Sequence, residues 1–350
     1  MGIINFLIVL SILVFIHELG HFLVARYLGV TVHVFSIGFG KKIFSKHWKG
    51  TTWQFAIIPL GGYVKMKGQD DSDPSKLEAG DDSYNNKTPL QRIAILLAGP
   101  FANFLLAAFL YFCIALMGSN ALSPEIGKVL ENSPAQKAGL QSGDVIVRIN
   151  QTDIQTWNDL SKVIKESNTA LQFYVKRDNK LQSKIVNPKL SDSENMFREK
   201  IKKRMIGIAP APKVIVVEHT LFESFGYAVD KTAESSKMIF LGVKKLLQGI
   251  IPSSEVGGVI TIGKVISDAS QSSIIALFSI MALISVNLGV LNLLPIPALD
   301  GGHIMFNLYE LITRRKPSDK AFIYLTIAGW VILGSLMLLG LYNDIIRFFS

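Results

Sequence analysis

The chain has 350 residues, of which 49% are hydrophobic and 18% charged, with a formal net charge of +9 and a mean hydropathy of +0.35. Such a balance excludes an ordinary soluble domain and a disordered chain, and points to several membrane spans. The positive charge follows no RNA-recognition, zinc-finger or basic-helix pattern, so no nucleic-acid partner is expected. The single cysteine, Cys113, excludes an intramolecular disulfide.

The first apolar stretch, Gly2 to Val24, carries His17, Glu18 and His21 in the order H-E-x-x-H. On a helix, residues four apart share a face, so His17 and His21 can offer two imidazole nitrogens to one tetrahedral Zn²⁺. Glu18 then sits beside the metal as a general base toward water. Ionisable groups are expelled from a bilayer unless they have a task, which sets this motif apart from a chance match. The stretch has no Lys or Arg before Arg26 and no small-residue cleavage pattern, so it reads as a retained span rather than a signal peptide.

Next come two β-prone runs between Gly50 and Gly68, joined by Pro59-Leu60-Gly61-Gly62. They predict a hairpin, either re-entrant at membrane depth where protein or a water-filled cavity satisfies its backbone, or resting on the cytoplasmic surface of the membrane. Asp70 to Lys87 is acidic and polar and reads as a mobile, solvated linker. Ile93 to Gly118, Ile274 to Leu299 and Ala321 to Tyr342 are further spans, making four in all. Between the second and third, residues 123–212 turn polar. Leu221 to Ile250 mixes apolar residues with lysines and predicts an amphipathic helix on the outer membrane surface.

A catalytic zinc needs a third protein ligand and an open position. Span three ends in Asn292-Leu293-Leu294-Pro295-Ile296-Pro297-Ala298-Leu299-Asp300-Gly301-Gly302-His303. Two prolines break the helix, and Asp300 stands where its charge is costly unless paired or metal-bound. Asp300 is therefore the third candidate ligand, with a helix-capping role and a competing His303 as the alternatives. His33, His47 and His219 lack ligand-like neighbours in the sequence and read as surface residues.

Lys and Arg cluster between Arg26 and Arg92, and again at Arg314, Arg315, Lys316 and Lys320. Both segments should be cytoplasmic. Both termini and the long polar insert then face outward, and the basic residues also attract anionic membrane lipid.

H-E-L-G-H in span one, Gly99-Pro100-Phe101-Ala102-Asn103 in span two, and N-x-x-P-x-P-x-L-D-G in span three together resemble the site-2 protease family of intramembrane zinc metalloproteases. The run Ser133-Pro134-Ala135 through Gly143-Asp144-Val145-Ile146 resembles a PDZ domain, inserted as in the bacterial regulator-of-sigma-E proteases, although many of those carry two tandem copies and this chain shows one. The resemblance implies a multi-span α-helical membrane protein: a four-span metalloprotease core with a re-entrant β-hairpin and an inserted PDZ-like α+β domain. It implies zinc held by His17, His21 and Asp300, with Glu18 activating water. Asn292 would bind substrate backbone or stabilise the oxyanion, or else make an interhelical hydrogen bond, while Gly99 and Asn103 read as close-packing residues. Substrates would be single-span membrane proteins, such as anti-sigma factors or remnant signal peptides, cut within their spans in the bacterial inner membrane. The corresponding division is 1–120 and 271–350 for the two halves of the membrane core, 121–213 for the PDZ domain and 214–270 for an amphipathic linker. A membrane metal transporter or sensor using the same ligands is the competing reading.

Overall fold

The computed structural model of the chain describes residues 2–69, 78–197 and 199–349. Contacts divide it into two compact units, Met1–Ile114 with Phe225–Ser350, and Ala115–Ser224.

The first unit is helical. Its elements are α1 (Gly2–Tyr27), β1 (Val32–Trp48), β2 (Thr51–Met66) and α2 (Pro89–Leu116), and, after the insert, α5 (Leu221–Leu247), α6 (Val259–Ser272), α7 (Ile274–Asn292), α8 (Asp300–Thr313) and α9 (Asp319–Phe349). Four of these, α1, α2, α7 and α9, are long and apolar enough to cross a membrane. At 1.5 Å per residue even the shortest, α7, is about 28 Å long, close to the hydrocarbon thickness. A core of Val9 and Leu13 from α1, Ala107 and Leu110 from α2, Ile266 from α6, and Ala282, Val286 and Val290 from α7 is fully shielded. The outer faces are apolar as well: on α9, Trp330, Val331, Met337 and Leu338 are all exposed. This inversion fits a molecule whose solvent is lipid.

Close helix approach depends on glycine at two points. A side chain on Gly20 would overlap the Ala98 carbonyl, and one on Gly99 would overlap the His21 ring. Arg92 in the first turn of α2 pairs with Glu310 on α8 at 2.7 Å, both largely shielded. Near the end of α9, Asp344 accepts the backbone N–H groups of Gly258, Ile260 and Thr261, so it caps α6 with the donors a helix start leaves free. α5 packs on α2 through Ala228 and a Tyr111 to Ser235 hydroxyl contact of 3.0 Å. The short α6 was not separated from the linker in the sequence reading, and α7 stops at Asn292 rather than Leu299. The reason is the Pro295 and Pro297 pair, which turns the chain before α8 restarts it at Asp300.

The β region departs from its expected pairing. Pro59 to Gly62 is no hairpin turn but lies within β2, and the turn falls at Lys49 and Gly50, both with positive φ (48° and 81°). Two successive left-handed residues make the turn type whose twist suits two paired strands. Residues 32–48, to which the sequence analysis assigns no element, supply the partner. Val34, Phe35, Ser36 and Ile37 each have two partners: Lys65, Val64, Tyr63 and Gly62 in one set, and Thr52, Trp53, Gln54 and Phe55 in the other. The start of β1 thus lies between the two halves of β2, and its later half, 42–48, forms an outer strand against 51–56. The end of β2 abuts α1, since a side chain on Gly62 would meet Val14 and Glu18.

The proposed linker Asp70 to Lys87 is also corrected where it can be seen; its first part, residues 70–77, lies outside the described residues. Lys67 pairs with Asp82 at 2.6 Å, the Tyr84 amide donates to the Lys67 carbonyl at 2.8 Å, and Ser83 and Tyr84 are buried. Buried backbone with partners holds this half in place.

The second unit is an α+β module. It comprises β3 (Ser119–Leu122), β4 (Ile126–Val129), α3 (Pro134–Lys137), β5 (Val145–Ile149), β6 (Thr152–Asp153), α4 (Trp157–Glu166), β7 (Leu171–Arg177), β8 (Lys180–Val186), β9 (Lys189–Glu194), β10 (Lys200–Met205), β11 (Ile208–Pro210) and β12 (Val214–Val217). Strands β6, β5, β7 and β8 form one sheet in that order, while β11 pairs with β4, β12 with β3 and β10 with β9. Alternation decides the faces: Leu171, Phe173 and Val175 of β7 point into a core with Ile126, Ile146, Ile149, Leu160 and Ile206. Helix α4 starts on a reciprocal cap, Thr156 and Asp159 each bonding the other's backbone. The unit is wider than 121–213 because β3 and β12 pair outside those limits.

Candidate metal centre

The first-span motif and the residue after the proline turn meet. Helix α1 puts His17 and His21 on one face, and the turn before α8 brings in Asp300. The Nε2 atoms of His17 and His21 are 3.2 Å apart, and Asp300 Oδ2 lies 3.3 Å from the first and 3.5 Å from the second. Two ligand atoms each about 2.0–2.1 Å from a tetrahedral zinc must lie about 3.3 Å apart. The observed triangle has that size, and these three residues form a His-His-Asp group able to hold a metal ion.

The ring orientation strengthens the fit. His21 Nδ1 sits 2.8 Å from the carbonyl of Ile95 on α2, which can only accept, so Nδ1 carries a proton and Nε2 is the ring atom turned to the cluster. A carboxylate oxygen and two imidazole nitrogens therefore converge in a shielded space, a donor set suited to a cation.

The His17 ring is held by Asn103 on α2, whose Nδ2 lies 3.2 Å from His17 Nδ1 while its buried Oδ1 has no partner among the described residues. The Asn103 amide can take either orientation; with Nε2 on a metal, Nδ1 would carry the proton and the flipped amide would accept it. Ser285 on α7 donates to the Asn103 carbonyl at 2.8 Å, tying this residue to a third helix. The sequence reading gave Asn103 a packing role only; the available signal was its place in the span-two motif, four residues after the glycine that admits His21.

Glu18 lies within electrostatic range of His17, His21 and Asp300, and the Val64 backbone N–H faces its carboxylate. Strand β2 thus reaches the residue beside the ligands, a contact the sequence did not announce. Asn292 ends α7, half-buried, and among the described residues no hydrogen bond joins it to the cluster. His303 turns away, its ring packed against Phe306 and Phe322 with centroids at 6.0 and 5.6 Å. His33 has a neighbour after all, Glu78 at 3.8 Å. His47 contacts Thr52 and His219 contacts Ser119, away from the cluster in sequence and bonding.

Apolar crossing helices that enclose a His-His-Asp cluster with a glutamate beside it define a class, the multi-pass membrane metalloproteases. More narrowly, the chain belongs to peptidase family M50, whose model matches residues 5–336, in agreement with the site-2 protease motifs. It is 47% identical over 340 residues to the Campylobacter jejuni protein named "Putative zinc metalloprotease Cj1068", covering 97% of this chain and 92% of that one. A Helicobacter pylori protein named "Putative zinc metalloprotease" is 40% identical over 349 residues, covering 97% and 98%. Metalloprotease MmpA of Caulobacter vibrioides is 31% identical over 379 residues, covering 99% and 95%. The protein is accordingly a metalloprotease, and these names support zinc as its metal.

Proposed function

We propose that this metalloprotease cuts single-span membrane proteins inside their transmembrane segments, with His17, His21 and Asp300 as zinc ligands and Glu18 as the base. The carrying observation is the 3.2–3.5 Å triangle of ligand atoms set among helices that are apolar outside as well as inside. Zinc held by that triangle would supply Lewis acidity toward the scissile carbonyl and the attacking water. Glu18 takes the water's proton onto a carboxylate oxygen and hands it to the leaving amine nitrogen. The end of β2 lies against Glu18, and Ile95 and Asn103 hold the two imidazoles.

A helical substrate keeps its amides bonded internally, so the scissile stretch must unwind first. The 62–66 half of β2 pairs with β1 on one side and faces Glu18 with the other. An unwound segment can add to that edge as a strand and pass its carbonyl to the cluster. The contacts of Gly62 with Val14 and Glu18 support a sheet that re-enters to the depth of the site. To Asn292, half-buried at the end of α7, we assign contact with substrate backbone or the oxyanion.

The charge distribution supports a bacterial inner-membrane protein with both termini and the inserted module outside and the site opening toward the cytoplasm. Within that module, Gly139 to Asp144 and the strands around it have the PDZ pattern, and we assign it the task of screening substrates already trimmed by another protease. Anti-sigma factors and remnant signal peptides fit the substrate chemistry.

The test is co-expression with candidate single-span proteins, comparing wild type with Glu18→Gln. Cleavage within the span by wild type alone supports the reading. Metal flux that survives Glu18→Gln, without cleavage, would establish a transporter instead. Reporter fusions at Ser83 and Lys316 should read cytoplasmic and one at Asn168 external; a cytoplasmic Asn168 overturns the topology.

A further inference from the structure

Between Glu18 and Asp70 the sequence contains no acidic residue and seven cations: Arg26, Lys41, Lys42, Lys46, Lys49, Lys65 and Lys67. Proteolysis makes no demand for such a run, and the fold gathers part of it at one place, the tip of the β1 and β2 hairpin.

The register pairs Phe44 with Phe55, Lys46 with Trp53 and Trp48 with Thr51. Side chains alternate along a strand, so Phe44, Lys46, Trp48, Trp53 and Phe55 share one face. Phe44, Trp48 and Phe55 are exposed, at 60%, 54% and 50%. Lys49 Nζ lies 4.9 Å over the Trp48 ring. Lys46, Trp48 and Trp53 line a pocket of about 210 Å³, and the buried Trp53 indole N–H has no acceptor among the described residues. An Arg26 to Lys49 carbonyl contact at 3.5 Å fixes the tip beside the end of α1, where the apolar span gives way to its first cation. The tip therefore sits at the membrane boundary. Lysines with tryptophan at that level match an anionic headgroup above acyl chains, and the absence of any carboxylate across 51 residues removes repulsion from it.

We propose that this hairpin face is a binding site for an anionic phospholipid, its phosphate held by Lys46, Lys49 and the Trp53 N–H and its acyl chains lying along Phe44, Trp48 and Phe55. Bound lipid would fix the outer strand of the same sheet whose other edge faces Glu18. The inference stands apart from the substrate reading, because it concerns occupancy and not cleavage.

The test uses the full chain purified in neutral detergent with equal dioleoyl phosphatidylglycerol and dioleoyl phosphatidylcholine, retained lipid being counted by mass spectrometry. Wild type should retain phosphatidylglycerol preferentially. Lys46→Gln with Lys49→Gln should lower that preference about ten- to thirty-fold, as two cations facing an anionic surface imply. Both side chains are exposed, so the thermal transition should be unchanged, and Lys46→Arg with Lys49→Arg should keep the preference. Equal retention of the two lipids by wild type, or an unchanged preference in the glutamine variant, overturns the site. Displacement of phosphatidylglycerol by equimolar glycerol phosphate also overturns it, since the occupant would then be a soluble anion.

Discussion

Asp300 in the membrane unit and Asp144 in the α+β module are both shielded carboxylates, yet they are finished differently. Asp144 is fully buried and receives Arg177 Nε at 2.6 Å and Nη2 at 2.8 Å, with the Gln141 amide at 2.9 Å on the same oxygen as Nη2. Asp300 faces two imidazole nitrogens across 3.3 and 3.5 Å, and no guanidinium or backbone amide among the described residues bonds it. A carboxylate taken up by a guanidinium and a backbone amide is architecture; one grouped with two imidazole nitrogens belongs to a donor set that suits a cation. Burial alone separates the two poorly, whereas the identity of the partners separates them well. Asp344 falls on the architectural side, its oxygens taken up by backbone amides at the start of α6.

The largest effect that would break this comparison lies next to the His-His-Asp cluster. Glu18→Gln should lower proteolysis by about 10³-fold or more, the scale of a lost general base, while bound zinc stays near one equivalent. Metal analysis beside a cleavage assay checks it, and loss of zinc in this variant would make Glu18 a ligand. Asp300→Asn should come next, lowering both zinc content and activity, because an amide keeps the shape and removes the charge that the cation answers. His303→Ala should leave zinc in place, since that ring packs on Phe306 and Phe322. A reversed order would mean the third ligand is wrongly chosen.

Asn103→Ala sharpens the comparison from the neighbouring layer. It leaves His17 in place and removes only what orients its ring, so zinc affinity should fall about 10- to 100-fold. A competition titration with a chelator reads this directly without turnover. Asn103→Asp should restore affinity, because a carboxylate accepts the His17 Nδ1 proton without the need for a flip. Equal affinity of wild type and the alanine variant would return Asn103 to a packing role.

These residues also mark what a sequence can disclose. His17, Glu18 and His21 were legible because helical spacing alone makes them neighbours, and Asp300 because a charge after two prolines in an apolar run has few uses. The four spans followed from length and composition in the same way. Ile95 could not be foreseen, since its contribution is a carbonyl that any residue possesses. Val64 was hidden for a related reason: its N–H reaches Glu18 only because β1 slots between the two halves of β2. The sheet itself was misread at Pro59 to Gly62, where turn-forming residues lie inside a strand, while the true turn at Lys49 and Gly50 needed left-handed backbone that lysine seldom adopts. Local signals place residues on elements; which element lies against which depends on packing that they do not encode.

The smallest effect concerns the architectural carboxylate. Burial pushes the Asp144 carboxyl up, but the Arg177 hydrogen bonds, the Gln141 amide and the charges of Arg177 and Lys184 outweigh it and hold the group below its ordinary 3.8. A depressed carboxylate contributes stability that is present above its unfolded value and is lost as pH falls through the folded one. The module should therefore hold its stability at neutral pH and weaken below about pH 4. Asp144→Asn should weaken it at pH 7 by about 2–3 kcal/mol, less than a fully buried pair would lose, because Arg177 keeps 21% of its side-chain surface in water. In the full-length protein this should appear as faster proteolytic nicking within residues 115–224, with the zinc content of the membrane unit unchanged. The acid sensitivity of nicking should also shrink in the variant, since the titrating group is gone. If Asp144→Asn instead released zinc, the two carboxylates would belong to one coupled system, and the contrast between an architectural acid and a candidate ligand would fail.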